Sequence, residues 1–590
     1  MKQNNIKEII LVIAIVIIQT IIFTIAGINK SYIHMDEAYS LGLASYDKIE
    51  IQDNDDFYNT WHNSDYYEDY LAVDEDEKFE FKQVYENQKN DVHPPLYYLI
   101  LRIAMGLSIG SYSKWTGIIV NIVIYVFITV FMYLIIQKLL NGKNRYKEKS
   151  AILALISSIT LAAVTNAIYI RMYALSTLNI AITTYLHLKL LDKKQKNNIL
   201  LVAIAISALV GSLTHYYYLF YLACMFIMFV IKYVKEKEFK MLGKYVFAMS
   251  IAGGLSLIIF PYSINHMFFG YRGQGTIQNL VNIPKFFGSI ARYLLITNVY
   301  GFNNLLFILI VASVGIIIYK KIKSKGVFSI KNEYIKYITL PTLFYFTLVS
   351  ISSPFIELRY IMPICGMMLI IVIYYIASIL NNIVKEKTLN IIIVSIFLLM
   401  AIMPAISNKI IELSTGKEFR GEKEYLYSSK DEFAKKLKSE LKLPVEMFSS
   451  FSDASMANTL LYIKNFRIEP EVLYSNKHEI VEILKNDLNV PTLYLFNSNN
   501  NRFLDDILLF ANINESYIAK DLQCNEENIR EILQDKDISN GIVVFINDGQ
   551  ENEELINTIA KCINCYEVKY LQRLNACDIY YITNNNSSLR

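Results

Sequence analysis

Two adjacent carboxylates, Asp36 and Glu37, stand in the stretch His34-Met35-Asp36-Glu37-Ala38-Tyr39, a few residues past the first long apolar run of this 590-residue chain. An acidic pair in a loop is, by itself, ordinary solvated charge. Its company changes that reading. His93, Arg171, His215, Arg272 and Arg359 each fall at the end of an apolar run or in a loop beside one. A charge this close to hydrocarbon is costly unless it is paired or faces a wet cavity. Singly, each has an interfacial role as its plain alternative. Jointly, a carboxylate facing several cations suits displacement at a sugar carbon bonded to phosphate. The carboxylate accepts the proton of the attacking hydroxyl and the cations hold the phosphate. Phosphate leaves readily once its charge is compensated, so no general acid is required and one inverting step suffices.

The elements that must position these residues are mostly apolar. The chain is 54% hydrophobic with mean hydropathy +0.30, which excludes a wholly soluble protein. A net charge of +3 gives no support to nucleic-acid binding. Apolar runs able to span a bilayer, or nearly so, lie at about 9–27, 116–137, 150–168, 173–190, 199–214, 216–231, 245–262, 302–319, 337–353, 359–380 and 389–407. They predict about eleven transmembrane helices, the first a retained signal anchor because its core is too long for a cleaved leader. The loops 138–149, 189–196, 232–244, 320–336 and 385–387 are rich in Lys and follow every second run. The positive-inside rule makes them cytoplasmic, together with the N-terminus, and puts the other loops and the C-terminal segment outside.

The apolar stretch 94–110 breaks this alternation if it crosses the membrane. Its length, Arg102 and leading Pro94-Pro95 predict a short interfacial helix instead. The outer loop 28–93 before it holds seventeen Asp and Glu against five Lys, with tyrosines and Trp61 that suit an interface. Asp74-Glu75-Asp76-Glu77 reads as a solvated face, and Asp53, Asp55 and Asp56 match no calcium-loop spacing. Tyr271-Arg272-Gly273-Gln274-Gly275 is either a plain turn or a gate over a site.

Two domains follow: a membrane domain, 1–407, including the loop 28–93 and the interfacial helix 94–110, and a polar domain, 408–590. In the second, strand-like runs at 444–449, 492–496, 541–546 and 579–582 alternate with helical patterns at 453–464, 477–488 and 551–562, predicting a small extracytoplasmic α/β domain. It carries no phosphate loop, nucleophile elbow or metal signature, so shaping access of an acceptor suits it better than chemistry. Cys562 and Cys565 form either a structural disulfide or free thiols, since no second pair completes a zinc set.

The order of motifs resembles a known family. His34–Tyr39 is similar to the Asp-Glu motif in the first outer loop of the GT-C membrane glycosyltransferases, within the group typified by protein O-mannosyltransferases and the lipid A aminoarabinose transferase. His93-Pro94-Pro95-Leu96-Tyr97-Tyr98, Arg171-Met172-Tyr173-Ala174-Leu175, Thr214-His215-Tyr216 and Arg359-Tyr360-Ile361-Met362-Pro363 resemble its later blocks, in order and on the same side of the membrane. The resemblance covers residues 1 to about 407. It implies a polytopic helical GT-C enzyme of the plasma membrane that moves a sugar from a polyprenyl-phosphate carrier to a hydroxyl of an extracytoplasmic glycan, lipid or protein. Asp36 would be the base, supported by Glu37, with His93, Arg171 and Arg359 on the lipid phosphate and His215 lining the cavity or packing. Some relatives have another cation before the two prolines, and a neutral His93 would hold phosphate less strongly. The family implies no metal; the acidic loop leaves a divalent ion as the alternative. Two other classes compete: a transporter or flippase of lipid-linked sugars, and a membrane-anchored assembly protein. The first wants ionisable residues near mid-membrane and broken inverted repeats, which the runs lack, and the second needs far fewer spans.

Overall fold

The computed structural model describes residues 2–399 apart from 31–32, 46–56, 143–144, 193–197, 323–331 and several positions from 381 to 397, and, beyond 489, residues 490–496, 510, 515–521, 525–547, 552–565, 567–574 and 577–583. Residues 400–489, and with them most of the run 389–407 and the patterns expected at 444–449, 453–464 and 477–488, lie outside the described residues, as do Asp53, Asp55 and Asp56. The chain divides into two compact units. One comprises residues 1–29, 91–97 and 117–473; the other comprises 30–90, 98–116 and 474–590.

Helices follow each other along the chain: α1 (Lys2–Asn29), α2 (Met35–Ser45), α3 (Ser64–Leu71), α4 (Phe81–Asn90), α5 (Leu96–Gly106), α6 (Lys114–Leu140), α7 (Tyr146–Ser158), α8 (Leu161–Ile168), α9 (Tyr173–Leu190), α10 (Asn198–Ser212), α11 (Tyr218–Lys235), α12 (Phe239–Ile259), α13 (Tyr271–Val281), α14 (Ile283–Ile296), α15 (Leu306–Ile322), α16 (Tyr334–Ser352) and α17 (Met362–Leu380). Among the described residues six helices are long and apolar enough to cross a membrane, or up to eight if each of two bent pairs is one span. Of the eleven expected runs, two fall in the bent pairs, those of α9 and α10 are not among the six, and most of 389–407 lies outside the described residues. α7 and α8 meet at 64°, where Thr160 caps the new helix by accepting from the Ala163 N–H at 3.2 Å. The stretch Ile283–Gly301, ending in a π-helical turn, meets α15 at 100°. α10, fifteen residues long, is among the shorter apolar helices. α5 spans eleven residues, in keeping with the short helix expected over 94–110. The segment 271–275, expected as a plain turn or a gate, is helical, forming the start of α13 in place of a turn, and Gly273 there lies against the backbone of Met267 in the preceding π turn.

In the second unit a six-stranded sheet forms from β1 (Trp61–Asn63), β2 (Thr492–Phe496), β3 (Glu515–Lys520), β4 (Ile542–Asn547), β5 (Glu567–Leu574) and β6 (Cys577–Thr583), in the order β1-β3-β2-β4-β6-β5. The central β3-β2-β4 ladders are parallel and the outer ones antiparallel. Helices α18 (Glu526–Leu533) and α19 (Asn552–Cys562) bury Ile529, Leu533 and Ile559 against Leu493, Leu495, Val544 and Ile546. β1 comes from the acidic loop. Trp61, read from the sequence as interfacial, instead pairs with Tyr517 across the ladder and donates from Nε1 to the Ile532 carbonyl at 3.1 Å. An indole this large gains more by burying its ring against a sheet and satisfying its N–H than by remaining wet. Cys562 and Cys565 carry free thiols.

Candidate active site

In the second unit, helix α2 carries both carboxylates in its first turn. The acidic charges face the positive end of the helix dipole, which favours them there. Glu37 is fully buried and forms an ion pair with the equally buried Lys30. Its other oxygen accepts the His34 backbone N–H at 2.9 Å, while His34 Nδ1 accepts the Asp36 N–H at 3.0 Å. The two side chains thus cap the helix reciprocally, as in a capping box. Asp36 keeps 16% of its side chain exposed, with Oδ2 3.8 Å from His34 Nδ1. The neighbouring acids therefore differ in exposure: Glu37 is wholly buried against Lys30, and Asp36 is partly exposed. Lys30 is held below the ordinary lysine range by burial, opposed by Glu37.

The far end of α2 is fixed by Arg102, which is 1% exposed and donates to the carbonyls of Ala44 (3.0 Å), Ser45 (2.6 Å) and Glu77. A guanidinium on the last carbonyls of a helix both satisfies them and matches the negative dipole end. Arg102 is thus structural support for α2. Gly42, mid-helix, lies against the Tyr70 ring, where a Cβ would come within 2.1 Å of it.

In the first unit, His93, Arg171, His215 and Arg359 come together. Arg171 lies in the four-residue link between α8 and α9, where Asn121 of α6 donates to the Tyr169 carbonyl at 2.6 Å. Gly117 of α6 permits this approach, since a Cβ there would stand 2.3 Å from Ile170. His93 Nδ1 bonds Asp91 Oδ2 at 2.8 Å, and the same oxygen accepts the His93 backbone N–H at 3.2 Å. Burial alone would raise the Asp91 carboxyl, but His93 and Arg171 together outweigh it and hold the group below the ordinary carboxylate range. The His215 ring stands 6.0 Å from that of His93 and accepts the Tyr217 N–H on Nδ1 at 3.1 Å. Burial, with His93 and Arg171 nearby, keeps His215 well below the usual histidine range, hence neutral.

Tyrosines wall this cluster. Tyr173 lies 5.4 Å from His215 and 6.3 Å from Tyr360, and Tyr217 lies 5.5 Å from Tyr360. Arg359, 9% exposed, sits in a 3₁₀ turn between α16 and α17, with Nη1 3.4 Å from Tyr169 Oη and its guanidinium 5.5 Å from the Tyr360 ring centre. Tyr345 pins that turn by donating to the Tyr360 carbonyl at 2.8 Å, and Pro363 enters α17 in its first turn, where its missing N–H costs nothing. Arg272 stacks at 4.7 Å on Phe355, its charge within electrostatic reach of Arg359. Three guanidiniums and two imidazoles beside one carboxylate are an environment for an anion. Asp91, Lys30 and the tyrosines were absent from the sequence-based site. Asp91, two positions ahead of His93, was the one that spacing could have marked. Among the described residues no group of three His, Cys, Asp or Glu could hold a metal ion.

The chain is similar to ArnT. The structure of ArnT from Cupriavidus metallidurans bound to undecaprenyl phosphate is 10% identical over 98% of each chain, with a TM-score of 0.49. The same protein in the apo state is 9% identical over 97% of each chain, with a TM-score of 0.47. No protein-family model matches the sequence, and no curated protein does.

Proposed function

We propose that this protein is a membrane glycosyltransferase that moves a sugar from a polyprenyl-phosphate carrier to a hydroxyl of an extracytoplasmic acceptor. The observation that carries this reading is the gathering of Arg171, Arg359, His93 and His215, distant in sequence, into one tyrosine-walled cluster at the ends of apolar helices. Guanidiniums as buried as those of Arg171 and Arg359 hold phosphate far better than solvated cations. The second support is the different exposure of the two acids. A base must be reachable and anionic, which suits Asp36; Glu37, matched by Lys30, suits a supporting role. The ordered sequence blocks add the donor class. In this reading the acceptor hydroxyl loses its proton to Asp36 as its oxygen attacks the anomeric carbon. The bond to the phosphate oxygen breaks, and the arginines take up the charge gained by the departing lipid phosphate. The N-terminus and Lys-rich loops face the cytoplasm, the site and the C-terminal segment face outward, that segment shapes acceptor access, and no metal takes part.

The test is a strain lacking the gene, complemented with wild type or Asp36→Asn, with surface glycans and glycoproteins followed by mass spectrometry and the purified proteins tested for polyprenyl-phosphate binding. Loss of a base costs about 10²- to 10⁴-fold in rate, so the modified product should vanish while lipid binding is kept. Full product from Asp36→Asn would sink the proposal.

A further inference from the structure

His93 stands where a phosphate-binding cation is wanted, yet a neutral imidazole is a poor one. Its surroundings answer this. Asp91, two residues earlier, places one carboxylate oxygen 2.8 Å from Nδ1 and 3.2 Å from the backbone N–H of His93, so ring and main chain are fixed by the same atom. A carboxylate accepts only, so Nδ1 must carry the proton of that bond. The ring is thereby set in one orientation, with Nε2 on the side away from Asp91. Across from it, His215 uses its own Nδ1 as an acceptor for the Tyr217 N–H, so the two rings, 6.0 Å apart, are held in opposite roles. The charged and titratable groups facing the pair include Arg171, from the link between α8 and α9, and His215 and Tyr216, from the link between α10 and α11. Arg171 disfavours a second cation; Asp91 is the group that offsets it.

We propose that Asp91 is a positioning residue for the transfer, holding His93 as a doubly protonated donor whose Nε2–H is directed to the anionic oxygen of the lipid phosphate. This rests on the function proposed above. An Asp91–His93 pair adds no net charge, so its contribution is a directed hydrogen bond to phosphate, made while Arg171 and Arg359 supply the charge. Carboxylates that fix one ring nitrogen and so commit the other are the general means by which imidazoles are oriented.

The experiment compares wild type, Asp91→Asn, and Asp91→Asn combined with His93→Arg, in detergent. It measures undecaprenyl phosphate binding and transfer between pH 6 and 8.5, and ¹⁵N-histidine spectra with His93 assigned by His93→Gln. Wild type should show Nδ1 protonated throughout. In Asp91→Asn the His93 midpoint should fall by about one pH unit. Its affinity for undecaprenyl phosphate should drop about tenfold at pH 8.5 and less than threefold at pH 6, with a parallel rise in KM. The added His93→Arg, charged at every pH, should remove that pH dependence. A defect equal at both pH values, or an unmoved His93 midpoint, overturns the inference. Wild type that neither binds undecaprenyl phosphate nor transfers sugar overturns the function it rests on, while the spectra still report separately on Asp91.

Discussion

Lys30 and Glu37 form an ion pair from which solvent is wholly excluded, with Glu37 next to Asp36 in the first turn of α2. A buried pair is weak evidence of added stability, because desolvating both charges offsets most of their attraction. Breaking it is another matter, since the remaining charge has no water to return to. Lys30→Met should lower stability by about 3–5 kcal/mol, while Lys30→Met with Glu37→Leu should recover most of that loss. Thermal unfolding of the purified protein in detergent reads both. If the double variant is as active as wild type, Glu37 has no role beyond matching Lys30.

Arg359 meets an anion, in this reading, through a planar fork already stacked on Tyr360. Losing a hydrogen bond to a charged group costs about 1.5–3 kcal/mol, so Arg359→Ala should weaken undecaprenyl phosphate binding about ten- to a hundredfold. Arg359→Lys should restore the charge but not the fork or the stacking, and so recover only part of the affinity. Titration with the short-chain lipid phosphate distinguishes the three. Unchanged affinity in both variants would remove Arg359 from the site.

Gly117 and Gly42 each let a neighbour occupy the space of a side chain, one below the Arg171 link and one beneath α2. A methyl group at either must push against Ile170 or Tyr70, at a cost of about 1–3 kcal/mol. Gly117→Ala should raise KM for the lipid donor by displacing Arg171. Gly42→Ala should lower kcat by shifting the helix of Asp36. The swapped pattern would contradict the assignment of cations and base.

Asp91 sets a pH dependence of stability. Its carboxyl binds a proton less readily in the folded chain than in the unfolded one, because His93 and Arg171 outweigh its burial. Its contribution, about 1–2 kcal/mol, is therefore complete above roughly pH 4 and disappears as the pH falls through the range below. The difference in Tm between wild type and Asp91→Asn should be full at pH 6.5 and shrink by pH 3. A constant difference would point to packing alone.

Charge compensation by side chains predicts that a chelator leaves turnover unaltered. Initial rates with and without excess EDTA, after dialysis, check this. Loss of activity that returns with one divalent ion would assign part of the phosphate charge to a metal.

Apolar runs made the helices legible because each residue's transfer cost into lipid is nearly independent of its neighbours. The bends were not, since they depend on a single side chain, as at Thr160, or on a π turn that has no compositional mark. Strands β2, β4 and β6 were readable from branched and aromatic runs, whereas β3 and β5, with charges at their faces, were missed. At the site, charges near hydrocarbon drew attention to Arg171 and Arg359, while Lys30 was counted with the loop's basic residues although it is buried. Asp91 escaped because seventeen acids in one loop concealed the one that bonds His93.

The three residues of β1 close the edge of a sheet whose other strands lie far downstream: Trp61 and the carbonyl it bonds are 471 residues apart. At about 5–20 residues per second of synthesis, the ribosome needs roughly half a minute to a minute and a half to span that distance. Throughout this interval the acidic segment has no ladder to join, and every intervening apolar helix is made before one forms. Charge around Trp61 should keep such a waiting segment dissolved and out of mispaired sheets, so neutralising it should reduce the yield of folded protein well before it affects the finished fold.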